Sequence, residues 1–296
     1  MSFNFLLSAN RLSIEENTST LLSPSAFEKF VAFISGKMTK PKLYGWFHVL
    51  SLLAILILCA LAILNRHKVT EKSMRLSLLF TGISMMIFET YKQIVFAYSP
   101  ETDTWAYNWS AFPFQFCSTP MYVMVVAALV KKGAFQDSLL AFLATYSLVA
   151  GGGVVLYPAT VFTETIGINL QTMFHHGAQA VVAVYLLSSG VVKFQLKTIL
   201  KGALPVFAVL VVAAITMNSL FSIYGNGADF NMFYLAPGKD FLLPILDKIF
   251  AGLPHFCYVF SYLFFFTLAA YLVLFFSKSI VCLYQKYKTE ISKETR

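Results

Sequence analysis

Seven stretches of this chain are each long and apolar enough to cross a lipid bilayer, at about 44–64, 74–97, 112–130, 137–157, 169–189, 198–220 and 255–277. A hydrocarbon core takes roughly 20 apolar residues per helix. Backbone crossing it must satisfy its own N–H and C=O groups, which a helix does within itself. Only 12% of the 296 residues are charged, against about 25% in soluble domains. The expected fold is therefore all-α: a polytopic membrane protein with about seven transmembrane helices in one bundle. Residues 44–277 form that domain, preceded by an N-terminal extension over 1–43 and followed by a basic tail over 278–296.

The net charge of +8 does not point to nucleic acid, because the cations flank apolar runs rather than forming a separate basic patch. Arg66, Lys68, Lys72 and Arg75 follow the first run, Lys131 and Lys132 the third, and Lys193, Lys197 and Lys201 the fifth. The tail adds Lys278, Lys286, Lys288, Lys293 and Arg296. Such loops face the cytoplasm. Alternate connections hold acids: Glu101, Asp103 and Glu164. The expected orientation has the N-terminus outside and the C-terminus in the cytoplasm, although Arg11, Lys29, Lys37, Lys40 and Lys42 run against it. The first 22 residues lack a signal-peptide pattern, so an internal crossing is expected to target the chain. Ser25 and Glu28 have capping-box spacing, followed by Phe27, Phe30, Val31 and Ile34 at helical intervals. Residues 25–35 and 240–250 read as helices lying on the membrane surface or as packed loops.

Ionisable groups within a crossing cost about 2.5–3.5 kcal/mol each on insertion scales. Glu89 and Lys92 lie three residues apart in the second run and can pair. The third run carries Gln115 and Cys117, the fifth Gln171, His175, His176 and Gln179, and His255 opens the seventh. At about 1.5 Å per residue, Glu89, Lys92, Cys117, His175 and His176 fall roughly 8–12 Å below the same boundary. Pro120 lacks the N–H that would bond to the Phe116 carbonyl, which predicts that the helix kinks or loosens beside Cys117. Gly151, Gly152 and Gly153 allow close helix packing.

Cys59, Cys257 and Cys282 read as small hydrophobes. Cys117 differs in sharing its layer with imidazoles, because a thiol becomes a nucleophile only as thiolate and needs a base to take its proton. Adjacent histidines lie about 100° apart on a helix, and spacing alone does not choose between His175 and His176. The Glu89–Lys92 pair could orient the imidazole, hold a lipid headgroup or lock two helices. No cysteine or histidine spacing marks a metal site, so neither a metal nor another cofactor is expected.

In order along the chain come E-x-x-K (Glu89, Lys92), Pro113 with Cys117, Pro158, His176–Gly177 and the NMFYL run from Asn231 to Leu235. This ordered set resembles the YwaF-like integral membrane proteins of bacteria. Those are similar to a eukaryotic membrane acyltransferase of polyunsaturated ether phospholipids and, more distantly, to the androgen-induced hydrolases of fatty-acid esters. The resemblance covers about 44–277. It implies Cys117 as nucleophile and His176, which precedes the glycine, as base, with Asn231 among the supporting residues. It also implies a bacterial plasma-membrane location. Gln115 stands where the family often has histidine.

The function expected is acyl transfer or acyl-ester hydrolysis on membrane phospholipid and lysophospholipid through an acyl thioester. Lys92, Gln115 or backbone near Pro120 would stabilise the oxyanion. The alternative is a transporter or proton-coupled carrier using Glu89, Lys92 and the histidines as an intramembrane pathway. Seven crossings also suit a receptor.

Overall fold

The computed structural model describes residues 25–225, 227–239 and 254–294, with side chains as far as Ser279 in the last segment. The expected surface helix over 240–250 lies outside these residues.

The architecture is helical. Helix α1 (Ala26–Ile34) begins at the capping box, in which Ser25 Oγ accepts from Glu28 N–H and the Glu28 carboxylate accepts from Ser25 N–H. Among its residues Val31 packs inward, whereas Phe27, Phe30 and Phe33 are exposed. Helix α2 (Trp46–Leu64) follows, and most of its aliphatic surface faces outward, as suits contact with acyl chains. Helix α3 (Glu71–Ala97) starts at a second reciprocal cap between Thr70 and Ser73. A two-residue hairpin pairs β1 (Tyr98–Ser99) with β2 (Thr104–Trp105) beyond its end.

Helix α4 (Thr119–Leu129) corrects the third expected crossing: the apolar run starts at 112, but helix forms only over its last 11 residues. Residues 112–118 turn instead, with Ser118 and Thr119 N–H groups both donating to the Gln115 carbonyl. Pro120 sits in the first turn of α4, where a missing N–H costs nothing. It therefore opens the helix rather than kinking it, and the Phe116 carbonyl accepts from Thr119 Oγ1 at 3.1 Å.

The fourth expected crossing is two stacked segments, α5 (Ala134–Ala144) and α6 (Tyr146–Leu156), separated at Thr145 (φ −125°, ψ −76°). The Thr145 hydroxyl covers the Ala141 carbonyl at 2.6 Å. Helix α7 (Ile166–Ser188) comes next. A π-helical turn over Thr198–Ala203 then leads into α8 (Leu204–Tyr224). Helix α9 (His255–Glu294) closes the described chain.

Among the described residues, four stretches have the length and apolarity to cross a membrane: Trp46–Leu64, Ala134–Leu156, Thr198–Tyr224 and His255–Ser279. Helices α3 and α7 have the length, at 27 and 23 residues, but carry the polar groups that lower their hydropathy.

Missing side chains set the helix spacings. A Cβ on Gly82 of α3 would fall 3.0 Å from the Met121 carbonyl oxygen on α4, and one on Gly177 of α7 would meet Ile55 of α2 at 2.7 Å. Of the three consecutive glycines in α6, Gly151 is the one in close contact: its Cβ would lie 2.7 Å from both the His176 carbonyl oxygen and Gln179 Cβ on α7. The core between these helices and α9 is aromatic, with Phe116, Tyr146, Phe207, Phe233 and Tyr262 at its centre.

Candidate functional site

The turn before α4 places Cys117 one residue ahead of the helix's N-cap, Ser118. Two side chains from α7 reach the Cys117 main chain. His175 Nε2 lies 3.1 Å from its carbonyl oxygen and Gln179 Nε2 donates to the same oxygen at 2.7 Å. Gln179 is in turn met at its Oε1 by the Ser147 hydroxyl of α6, at 3.4 Å.

These contacts assign the imidazole tautomers. A carbonyl oxygen only accepts, so His175 must carry its proton on Nε2. His176 Nδ1, 2.7 Å from the Thr172 carbonyl oxygen, must carry the other ring's proton. A neutral imidazole has one donor and one acceptor nitrogen, so His175 Nδ1 and His176 Nε2 present lone pairs. Both atoms are buried and have no hydrogen-bond partner, the Cys117 thiol included. The two rings stand edge to face with centroids 5.5 Å apart.

The charged pair joins this cluster at Gln171. Lys92 Nζ is 2.6 Å from Glu89 Oε1, with Glu89 almost wholly buried. Glu89 also accepts from Gln93 at 2.8 Å and from Gln171 of α7 at 3.3 Å. Gln93 continues outward, donating to the Ala111 carbonyl and accepting from the Tyr107 hydroxyl. Glu89 and Lys92 are close enough for their charges to act on Cys117 and His176. Residues from α3, α7 and the turn before α4 therefore converge.

Gln115 and Asn231 are built into the walls. Gln115 Nε2 donates to the Asn231 carbonyl at 3.1 Å, and its Oε1 accepts from Phe233 N–H at 3.0 Å. Asn231 Oδ1 accepts from Ala236 N–H. His255 reaches the Leu235 carbonyl rather than the histidine pair. Among the described residues no three His, Cys, Asp or Glu side chains stand together as metal ligands would.

Several participants escaped sequence reasoning. Gln93 is four residues from Glu89, a spacing that by itself signals a shared helix face. Ser147 stands four residues before Gly151 on α6, and both meet Gln179. Thr172 contributes only its carbonyl, which no side-chain pattern reveals.

Apolar crossings beside a buried cluster of histidine, amide and paired charge define a helical integral membrane protein with a buried polar site. The model of the TMEM164 family matches residues 43–279. The chain belongs to this family of membrane proteins. No curated protein and no solved structure matches it.

Proposed function

We propose that this protein transfers or hydrolyses acyl groups of membrane phospholipids through a thioester on Cys117, with His176 as general base. One observation carries the reading: His176 holds a lone pair on a buried, unpartnered Nε2 while Thr172 fixes the proton on Nδ1. Burying a polar atom without a partner is costly, and catalytic histidines show this division between an anchored N–H and a free acceptor. His175 and Gln179 hold the cysteine's main chain just before the start of α4.

In the proposed reaction the Cys117 proton passes to His176 Nε2 and the sulfur attacks an acyl ester carbonyl. An S–C bond forms and the carbonyl π pair moves to oxygen. On collapse the ester C–O bond breaks, and the departing glycerol oxygen takes the proton from His176. A lysophospholipid hydroxyl, or water, then gives its proton to His176 and displaces the thiolate. Helices α3 and α7, with the segment 112–129, complete the seven crossings of this reading.

Thioester trapping tests it. The purified protein is incubated with acyl-labelled phospholipid, quenched in acid and treated with hydroxylamine. Label on the wild type, released by hydroxylamine and missing from Cys117→Ala, is the expected result. An unlabelled wild type, or label that persists in the variant, removes the proposal.

A further inference from the structure

Between α8 and α9 the chain makes a turn that sterics disfavour. Phe233 and Tyr234 are consecutive and both left-handed, with φ of 57° and 58°. Bulky side chains rarely adopt that conformation, and non-glycine residues in it concentrate at functional sites. Here it is held from all sides. Asn218 of α8 donates to the Met232 carbonyl at 2.9 Å and accepts from Met232 N–H at 2.7 Å. Gln115 binds on either side of it, at the Asn231 carbonyl and at Phe233 N–H. The Tyr258 hydroxyl of α9 donates to the Tyr234 carbonyl at 3.0 Å.

The turn fixes where the two rings go. Phe233 is fully buried against Phe114 and Phe116, with centroids 5.9 and 5.5 Å apart. That docks residue 233 directly against the segment that bears Cys117. The next residue, Tyr234, is only partly buried, and its phenol lies within electrostatic reach of the Cys117 thiol. Among the described residues, no hydrogen bond engages its phenolic oxygen. Of the side chains expected to serve the oxyanion, the Gln115 amide is engaged by the turn itself and Lys92 is paired with Glu89.

We propose that Tyr234 is a second catalytic residue, whose phenolic O–H donates a hydrogen bond to the oxygen of the acyl carbonyl under attack. The assignment rests on the Cys117 thioester reading. As the S–C bond forms, negative charge gathers on that oxygen and the Tyr234 hydrogen bond strengthens, the phenol keeping its proton. When the carbonyl re-forms, the ester C–O bond breaks and the departing oxygen takes its proton from His176. The turn then has a purpose: it holds a donor where charge develops, before substrate arrives.

The experiment compares full-length wild type and Tyr234→Phe in detergent–phospholipid micelles. The probe is phosphatidylcholine and phosphatidylethanolamine with ¹⁴C-labelled acyl chains. Initial rates of hydroxylamine-sensitive labelling are measured beside alkylation of Cys117 by iodoacetamide. Loss of one oxyanion donor lowers the labelling rate by about 100-fold, while alkylation, which develops no carbonyl charge, keeps its wild-type rate. Labelling at the wild-type rate overturns the role of Tyr234 and leaves Cys117 chemistry standing. A parallel fall in alkylation also overturns it, by tracing the effect to the thiol. An unlabelled wild type overturns both proposals together. Should Tyr234→Phe not fold, 3-fluorotyrosine at position 234, a stronger donor of the same shape, must change the labelling rate, and an unchanged rate overturns the role.

Discussion

His175 touches Cys117 through the main chain: its Nε2 donates to the Cys117 carbonyl at 3.1 Å, an oxygen that it shares with the Gln179 amide. Each ring is thus anchored to a backbone carbonyl through one nitrogen and keeps a free acceptor on the other, His175 across to the cysteine and His176 within its own helix.

The two histidines are therefore expected to separate on substitution. His176→Ala should lower thioester labelling by about 10³-fold, as for loss of a general base. His175→Phe leaves the Cys117 carbonyl its Gln179 bond, so it should cost about 1 kcal/mol of stability and retain partial labelling. Denaturant titration with the trapping assay measures both. The opposite ranking would assign the base to His175.

Glu89→Gln removes the counter-charge of a mostly buried ammonium. Breaking one side of a buried pair costs about 3–5 kcal/mol. The double variant Glu89→Gln/Lys92→Met leaves no charge behind and should recover most of that loss. Unfolding in mixed micelles provides the comparison, and equal destabilisation of the two variants would argue against a paired charge.

Adjacent glycines on α6 should respond differently. A Cβ at Gly151 needs displacement of the His176 carbonyl or Gln179, whereas one at Gly152 meets only Leu148 at an ordinary 3.7 Å. Gly151→Ala should cost about 1–3 kcal/mol from overpacking and slow thioester formation. Gly152→Ala should be silent in both, and paired melting curves test the contrast.

Acid should release α1 from the hairpin. The Ser25 N–H, then the Trp105 indole N–H, hold the Glu28 carboxyl below its ordinary value of 4.5. A depressed carboxyl contributes stability that is complete above the ordinary value and is lost as pH falls through the folded-state value. Trp105 fluorescence should therefore change on the acid side of 4.5. Glu28→Gln should abolish that transition.

Hydropathy located the crossings at α2, α5–α6, α8 and α9 because continuous apolar surface is what lipid selects. It misjudged residues 112–118 for the same reason: it counts side chains, and these are apolar whether the backbone coils or turns. Pro113 and Pro120, seven residues apart, are the local evidence for a late helix start, which Pro120 alone does not distinguish from a kink. The approach of Glu89, His175 and Cys117 was legible from their common depth. Which histidine contacts the cysteine was not, because that depends on the rotation of α7, set by Gly151 and Gly177 against α6 and α2. The Gln115 link to the turn at 231–235 joins residues 116 positions apart, and no periodicity encodes it.

Gly167, the second residue of α7, leaves a gap that the Tyr91 phenol of α3 enters, and that hydroxyl continues to the Ile34 carbonyl at the end of α1 at 2.9 Å. One absent methyl group thus admits a bolt through three pieces of chain, which Lys37 reinforces by pairing with Glu101 and bridging to Thr165. The amino-terminal segment is in this way a clasp across the ends of the two helices that carry Glu89 and His176, so loosening it would be felt at the cluster without any change to the cluster's own residues.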